Sequence, residues 1–126
     1  MDIKNILVCV TQQKSCERLI NHAHELIKEY GGQLYVLNVV KSDVNFLDSP
    51  KEPEALEYLF NISKNIGANL TVLKSDDVIG TIARYADENS IDCIILGKSP
   101  SKRKGDYFLR ELKKLLKAEI EIRILS

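Results

Sequence analysis

Residues 97–106, GKSPSKRKGD, combine glycine, hydroxyl groups and positive charge in one short segment. Glycine lets a ligand approach the backbone closely, serine hydroxyls donate hydrogen bonds, and lysine and arginine pair with oxyanions. The segment follows the apolar run 91–96, which predicts a buried strand that places the start of the segment rigidly. This combination favours an anion-binding loop, for a nucleotide or a phosphate; a solvated basic loop is the alternative. The candidate binding residues in it are Gly97, Lys98, Ser99, Ser101, Lys102 and Arg103.

The triplet Gly97-Lys98-Ser99 matches the last three positions of the phosphate-binding P-loop, G-x-x-x-x-G-K-[ST]. The first glycine of that motif would fall at position 92, which is Asp92. The triplet also follows an apolar run and not a glycine-rich turn. We therefore assign no P-loop here.

The chain has 126 residues, with 18 basic and 18 acidic side chains. This length predicts one domain, residues 1–126, with a core of its own. A formal charge of zero disfavours a nucleic-acid partner, because proteins that bind nucleic acids usually carry a broad positive excess. The sequence has no apolar run long enough to cross a bilayer, so we expect no membrane partner and a cytoplasmic location.

Cysteine and histidine do not indicate metal or redox chemistry. Cys9 and Cys93 lie in apolar strand patterns and are expected to be buried, and no two cysteines have C-x-x-C spacing. His22 and His24 are two residues apart on a predicted helix, so they point to different faces. We therefore predict no metal site and assign no catalytic residue.

Apolar periodicity divides the chain into five strands that alternate with four helices. The first and fourth strands are solid apolar runs typical of strands buried on both faces, whereas the fifth alternates strictly and is predicted to be an edge. Asp76 and Asp106 are the predicted N-caps of the third and fourth helices. Phe60 and Leu115 are placed on the inward helix faces. The predicted strands are 3–10, 34–40, 69–73, 91–96 and 119–124, and residues 41–53 are predicted to be irregular.

This alternation implies an α/β fold with a single open, mainly parallel five-stranded sheet and helices on both faces. In such sheets ligands bind beyond the carboxyl ends of the strands, where the strand order reverses. With the order 3-2-1-4-5, that point lies between the loops that follow strands one and four. The further candidate binding residues, at the ends of strands one and two, are Thr11, Lys14, Ser15, Val39 and Val40.

Several segments resemble the universal stress protein (Usp) family, whose fold is adenine nucleotide alpha hydrolase-like. They are ILVCVT at residues 6–11, SCERLI at 15–20, DDVIGTIARYA at 76–86 and IDCIILGKS at 91–99. The similarity covers nearly the whole chain and is closest to the branch found inside KdpD, the potassium-sensing histidine kinase. The resemblance implies the strand order 3-2-1-4-5, a role in the stress response and a homodimer formed through the last strand.

The chain departs from the nucleotide-binding members of that family at several positions. Those members carry an aspartate at the end of strand one, where this chain has Thr11. They also carry G-x2-G-x9-G-[ST] after strand four, and Gly97 matches only its first glycine. Pro100, Arg110 and Glu111 occupy the later positions. The usual ATP motif is therefore degenerate.

Some KdpD domains of the family bind cyclic di-AMP through an S-x-S motif and a second segment further along the chain. Here Ser99-Pro100-Ser101 matches the first part, whereas residues 122–126 do not match the second. The candidate ligands implied by the resemblance are therefore an adenine nucleotide, namely ATP, AMP or cyclic di-AMP. The residues themselves indicate a nucleotide or another small anion.

Three functions fit these residues. The leading hypothesis is a non-catalytic regulatory module that binds a nucleotide or other anion in the cleft between strands one and four. The alternatives are a protein-interaction or dimerisation domain with a vestigial cleft, and a slow nucleotide hydrolase. Hydrolysis normally requires carboxylates that hold a metal ion and position water, and neither cleft loop carries one before Asp106.

Overall fold

The computed structural model describes residues 5–10, 16–40, 52–97 and 102–125. Strands and helices alternate along these ranges. The strands are β1 (Asn5–Val10), β2 (Gln33–Val40), β3 (Asn69–Lys74), β4 (Cys93–Gly97) and β5 (Glu121–Leu125). The helices are α1 (Cys16–Tyr30), α2 (Glu52–Asn65), α3 (Val78–Glu88) and α4 (Lys102–Leu115). Within the described ranges, every helix is too short or too polar to span a bilayer.

The five strands form one parallel sheet in the order β3-β2-β1-β4-β5, which confirms the predicted architecture. β1 lies at the centre because its apolar run can be buried on both faces, whereas β3 and β5 are half-exposed and lie at the edges. The chain moves outward from β1 to β3, and then crosses back to β4 and β5. The strand order therefore reverses where β1 contacts β4.

Two hydrophobic cores cover the two faces of the sheet, because successive strand side chains point in opposite directions. On one face, Val8 and Val10 pack with Leu19 of α1 and Leu59 of α2. On the other face, Leu7 and Cys9 pack with residues of α3 and α4. We call these the α1/α2 face and the α3/α4 face.

Hydrogen bonds tie the amino ends of β1 and β4 together. The backbone N–H of Asn5 donates to Oδ2 of Asp92 at 2.9 Å, and the N–H of Asp92 donates to the Asn5 carbonyl at 2.9 Å. Nδ2 of Asn5 also donates to the carbonyl of Ser90 at 3.0 Å. These contacts hold the central strand pair in register and so determine where its carboxyl ends lie.

Two helices are capped differently from the prediction. Asp77, and not Asp76, caps α3, because its Oδ1 accepts a hydrogen bond from the Gly80 N–H at 3.0 Å. Gly80 leaves room for this cap, since a Cβ there would lie 2.2 Å from Oδ2 of Asp77. α4 begins at Lys102, so Asp106 lies inside the helix and does not cap it. Lysine and arginine are good helix formers, and the helix extends into the segment that their charge suggested was a loop.

Two side chains predicted to face the core are exposed. Phe60 is 53% exposed and Leu115 is 48% exposed, whereas Leu59 and Leu112 beside them on α2 and α4 are fully buried. Apolar spacing identifies the centre of the apolar face of a helix. The neighbouring elements decide which side of that face they bury. On the other flank of α2, Tyr58 donates a hydrogen bond to Glu17 of α1.

The predicted end of α1 is confirmed, whereas the predicted start of α2 is wrong. The predicted glycine stop after α1 is confirmed: Gly31 has a φ of 73°, and its N–H donates to the carbonyl of Ile27 at 2.7 Å. α2 starts at Glu52, so Pro53 lies in its first turn, where proline is tolerated, and not in an irregular segment. Residues 41–51 lie outside the described residues.

Candidate functional site

The predicted cleft corresponds to the place where the carboxyl ends of β1 and β4 meet. β1 ends at Val10 and β4 ends at Gly97. Val8 is opposite Ile95 in the parallel register, and each strand continues two residues beyond this pair, to Val10 and to Gly97, which form a row at the carboxyl ends of the two strands. β2 continues this row, since Asn38 is opposite Val10. We call Asn38, Val10 and Gly97 the strand-end row.

Part of the candidate set lies outside the described residues. Lys98 to Ser101 follow β4 directly in sequence, and the segment that starts at Thr11 follows β1 directly. Their roles therefore stay predictions. The candidate residues that lie outside the described residues are Thr11, Lys14, Ser15, Lys98, Ser99 and Ser101.

Gly97 is the last residue of β4, and it leaves the backbone there without a covering side chain. The residue is exposed, and a Cβ built on it would lie 3.4 Å from Cδ1 of Leu19 in α1. That position is on the α1/α2 face, which Ile95 also faces. Because Gly97 has no side chain, a ligand can approach the strand end closely beside the first turns of α1.

Lys102 and Arg103 lie in the first turn of α4 and not in a loop. Both are exposed, as is Lys104, and this turn contains no acidic residue. Cations at a helix N-terminus oppose the helix dipole, which is unfavourable by roughly 0.3–1 kcal/mol each at exposed positions. Positive charge and the N-terminal amides of the helix are thus concentrated at the end of α4 that follows β4. A locally unfavourable arrangement of charge, such as cations at a helix N-terminus, is typical of functional sites.

Val39 and Val40 end β2 at the same edge of the sheet. Val39 packs on the α3/α4 face. The carbonyl of Val40 accepts a hydrogen bond from the Ser75 N–H at 2.8 Å, and Val40 pairs with Lys74 of β3. These two half-buried residues therefore offer mainly apolar contact to a ligand.

Asn38 is a polar residue of the strand-end row that the apolar periodicity did not indicate. It is 3% exposed, and its Nδ2 has no hydrogen-bond partner among the described residues. Two residues earlier, Val36 packs on the α1/α2 face, so Asn38 points to that face too. A lone amide inside the run LYVLNVV was the available signal. A buried donor without an acceptor is disfavoured by about 1–3 kcal/mol, which makes Asn38 a candidate ligand-binding group.

The buried thiols are poor nucleophiles. Burial raises the pKa of Cys9 to about 12. Burial, with the nearby Glu121 carboxylate, raises the pKa of Cys93 to about 11. Both thiols are therefore protonated at neutral pH, and the predicted burial of both residues is confirmed. Across the ranges that the structure describes, no group of three His, Cys, Asp or Glu side chains could hold a metal ion.

Two surface grooves lie along α4, away from the strand-end row. One, of about 480 Å³, is lined by α4 residues that include Asp106, Arg110 and Lys113. The other, of about 360 Å³, lies between α3 and the end of α4, with Arg84 and Asp87 in its lining. Both mix acidic and basic side chains, and neither is lined by Asn38, Val10 or Gly97.

Comparison with known proteins identifies relatives of this fold. Residues 2–116 match the Universal stress protein family. A solved universal stress protein in complex with cAMP has a TM-score of 0.69 at 15% identity, covering 100% of this chain and 98% of that chain. The universal stress protein from Archaeoglobus fulgidus in complex with dAMP has a TM-score of 0.63 at 20% identity, with 100% of both chains covered. A universal stress protein family protein from Arabidopsis thaliana with AMP bound has a TM-score of 0.61 at 14% identity, covering 98% of this chain and 92% of that chain.

These structures are similar to the chain in fold, at identities that carry no residue-level correspondence. No curated protein matches the chain in sequence. The family match itself extends from before β1 to the end of α4, and so includes both strands whose ends form the cleft. Because it covers most of the 126 residues and the sheet has the strand order that the resemblance implied, the chain belongs to the universal stress protein family.

Proposed function

We propose that this chain is a non-catalytic regulatory module of the stress response that binds an adenine nucleotide, or another small anion, at the carboxyl ends of β1 and β4. One observation carries the proposal. The strand order reverses between β1 and β4, and Gly97 ends β4 there, exposed and without a side chain. Open α/β sheets bind ligands at such reversal points because the diverging loops leave a crevice between them.

Charge supports an anionic ligand. Lys102 and Arg103 are exposed at the N-terminus of α4, where the helix amides add partial positive charge. Lys98 and Ser99 follow the strand end in sequence and are proposed to contact the ligand directly. The more distant cations form an attracting rim whose effect salt would screen.

The relatives support an adenine nucleotide as the ligand class. The three solved structures named above are complexes with cAMP, dAMP and AMP. We infer that AMP or cyclic di-AMP suits this chain better than Mg-ATP, because Thr11 replaces the strand-one aspartate and Pro100 replaces a glycine of the usual motif. The resemblance to the KdpD branch and the partial S-x-S match favour cyclic di-AMP as one member of the test set.

A thermal-shift panel of AMP, cyclic di-AMP, ATP with Mg²⁺ and inorganic phosphate tests the proposal. A ligand that binds only the folded state at a concentration 100 times its Kd stabilises that state by about 2.7 kcal/mol. We expect AMP or cyclic di-AMP to raise the Tm by several degrees and Mg-ATP to raise it less. If none of the four ligands shifts the Tm, the cleft is vestigial and the interaction-domain alternative is correct. Phosphate release from ATP would instead support the slow hydrolase.

The proposal extends to the domain organisation and the cellular compartment of the protein. We propose that residues 1–126 act as one domain in the cytoplasm. The unpaired, buried thiols of Cys9 and Cys93 are compatible with a reducing compartment.

We also propose a homodimer formed through β5. β5 pairs with β4 on one side and is the last strand of the sheet, and Ile124 on it is 47% exposed. An edge strand with apolar side chains can pair with a second copy about a two-fold axis. Sedimentation equilibrium at micromolar concentration should give the mass of a dimer. Introducing a charge with Ile124→Lys should shift it toward the monomer, and a wild-type monomer would remove this part of the proposal.

A further inference from the structure

We propose that the side-chain amide of Asn38 recognises the base of the bound adenine nucleotide, with Nδ2 donating a hydrogen bond to a ring nitrogen. This inference rests on the proposed function and adds to it the residue that selects the base. It starts from a group that the fold leaves unsatisfied. Nδ2 of Asn38 is buried and has no acceptor among the described residues.

The position of Asn38 relates this donor to the site. Asn38 is opposite Val10 on β1, and Gly97 on β4 lies two residues beyond Ile95, the partner of Val8. All three positions belong to the α1/α2 face: Val10 packs in its core, Asn38 follows Val36, and the open position on Gly97 is next to Leu19. The unsatisfied donor therefore lies at the carboxyl edge of the sheet, in line with the strand end proposed to bind the anion.

The spacing fits a nucleotide. Asn38 lies on β2 and Gly97 on β4, and these strands flank β1, so they are two inter-strand spacings, or about 10 Å, apart. A nucleoside monophosphate covers such a distance when its phosphate lies beside Gly97 and its base lies toward β2. The exposed cations at the N-terminus of α4 follow β4 in sequence, whereas the end of β2 itself offers an amide and two valines.

The chemistry favours the base over the other parts of the ligand. The ring nitrogens of adenine accept hydrogen bonds, and asparagine is a common reader of adenine edges in proteins. A phosphate would gain more from the cations at the other end of the row. The side chain of Val40, two residues after Asn38, points to the same face of the sheet and is half-buried and apolar, so a flat aromatic base can pack against it.

A second buried polar group provides a matched control. Oγ of Ser63 on α2 is also buried and has no partner among the described residues. The carbonyl of Ser63 accepts a hydrogen bond from the Ala68 N–H at 2.8 Å, which places Ser63 at the turn leading into the amino end of β3. It is therefore at the opposite edge of the sheet from the strand-end row, and its hydroxyl should not contact a ligand there.

The experiment compares AMP with 1-deaza-AMP, 3-deaza-AMP, 7-deaza-AMP and ribose 5-phosphate by calorimetric titration. Each deaza analogue removes one ring acceptor, and ribose 5-phosphate removes the whole base. Wild type should bind one deaza analogue roughly tenfold more weakly than AMP. In Asn38→Leu, AMP should bind roughly tenfold more weakly than in wild type and that discrimination should vanish, while ribose 5-phosphate binds as before. Ser63→Ala should behave like wild type with every ligand.

Stability provides an independent readout. Exchanging a buried, unsatisfied amide for a leucine of similar size should hold or raise the Tm of the ligand-free protein. If Asn38→Leu fails to fold, Asn38→Asp keeps the shape of the side chain, removes the donor, and should show the same loss of discrimination. The inference is overturned if wild type binds AMP but does not distinguish the analogues, or if the discrimination persists without Asn38. If wild type binds no adenine nucleotide, the proposed function fails and this inference fails with it.

Discussion

Replacing Ile94 with alanine is expected to lower the free energy of unfolding by about 3 kcal/mol, the largest single effect on stability predicted here. Ile94 is fully buried on β4, the strand next to the central β1, and packs in the core of the α3/α4 face. Truncation removes apolar contacts and leaves a cavity that a close-packed core cannot fill. Urea unfolding followed by circular dichroism would measure the change.

Ile124→Ala is the matched control for Ile94→Ala. Ile124 is on the neighbouring strand β5, opposite Leu96, and faces the same side of the sheet as Ile94. It is 47% exposed in the single chain, so at protein concentrations low enough to give the monomer its truncation should lower the free energy of unfolding by about 1 kcal/mol or less. Equal losses for the two variants would mean that the sheet edge is buried as deeply as its interior, for example by a tight dimer at β5.

The double variant Lys98→Ala/Ser99→Ala is expected to weaken AMP binding at least about tenfold, because it removes a cation and a hydroxyl donor next to the rigid end of β4. Lys102→Ala/Arg103→Ala should weaken it only about two- to threefold, because exposed charges are worth roughly 0.2–1 kcal/mol in water. Calorimetric titration of AMP into each variant at low and at high salt would measure both effects.

The salt series separates direct contact from attraction at a distance. The effect of Lys102→Ala/Arg103→Ala should shrink at high salt, whereas the effect of Lys98→Ala/Ser99→Ala should largely persist. The variant Lys102→Ala/Arg103→Ala should also have a slightly higher Tm than wild type, since both cations oppose the dipole of α4. A dominant effect of Lys102 and Arg103 would instead place the anion at the N-terminus of α4 and not at the end of β4.

The amino-acid sequence alone was sufficient to predict the layer architecture. Solid apolar runs at β1 and β4 and the half-polar pattern of β5 follow from how many faces of a strand are buried, and this is a local property of each segment. Once central and edge strands are known, right-handed parallel connections leave few strand orders. The order 3-2-1-4-5 was what the resemblance to the universal stress protein family implied, and the structure confirms it together with the reversal between β1 and β4.

Other features depended on contacts between segments distant in sequence. Phe60 is 53% exposed although it belongs to the apolar spacing of α2, and no spacing rule states which flank of a helix its neighbours cover. Asp77 rather than Asp76 caps α3, because two adjacent aspartates are equivalent in sequence until the backbone orients one toward the Gly80 N–H.

The candidate binding residues also divide into those that the sequence indicates and those that only the tertiary structure identifies. Glycine and cations at residues 97–103 are visible in the sequence because their types suit anions wherever they lie. The unsatisfied amide donor of Asn38 is established only by the folded chain. An asparagine in a strand is ordinary if a neighbour accepts its hydrogen bond, and only the packing of β1 and β2 beneath the α1/α2 layer leaves its amide buried without a partner among the described residues. Residue type therefore determined which chemistry was available, and tertiary packing decided which buried polar group was left without a hydrogen-bond partner among the described residues.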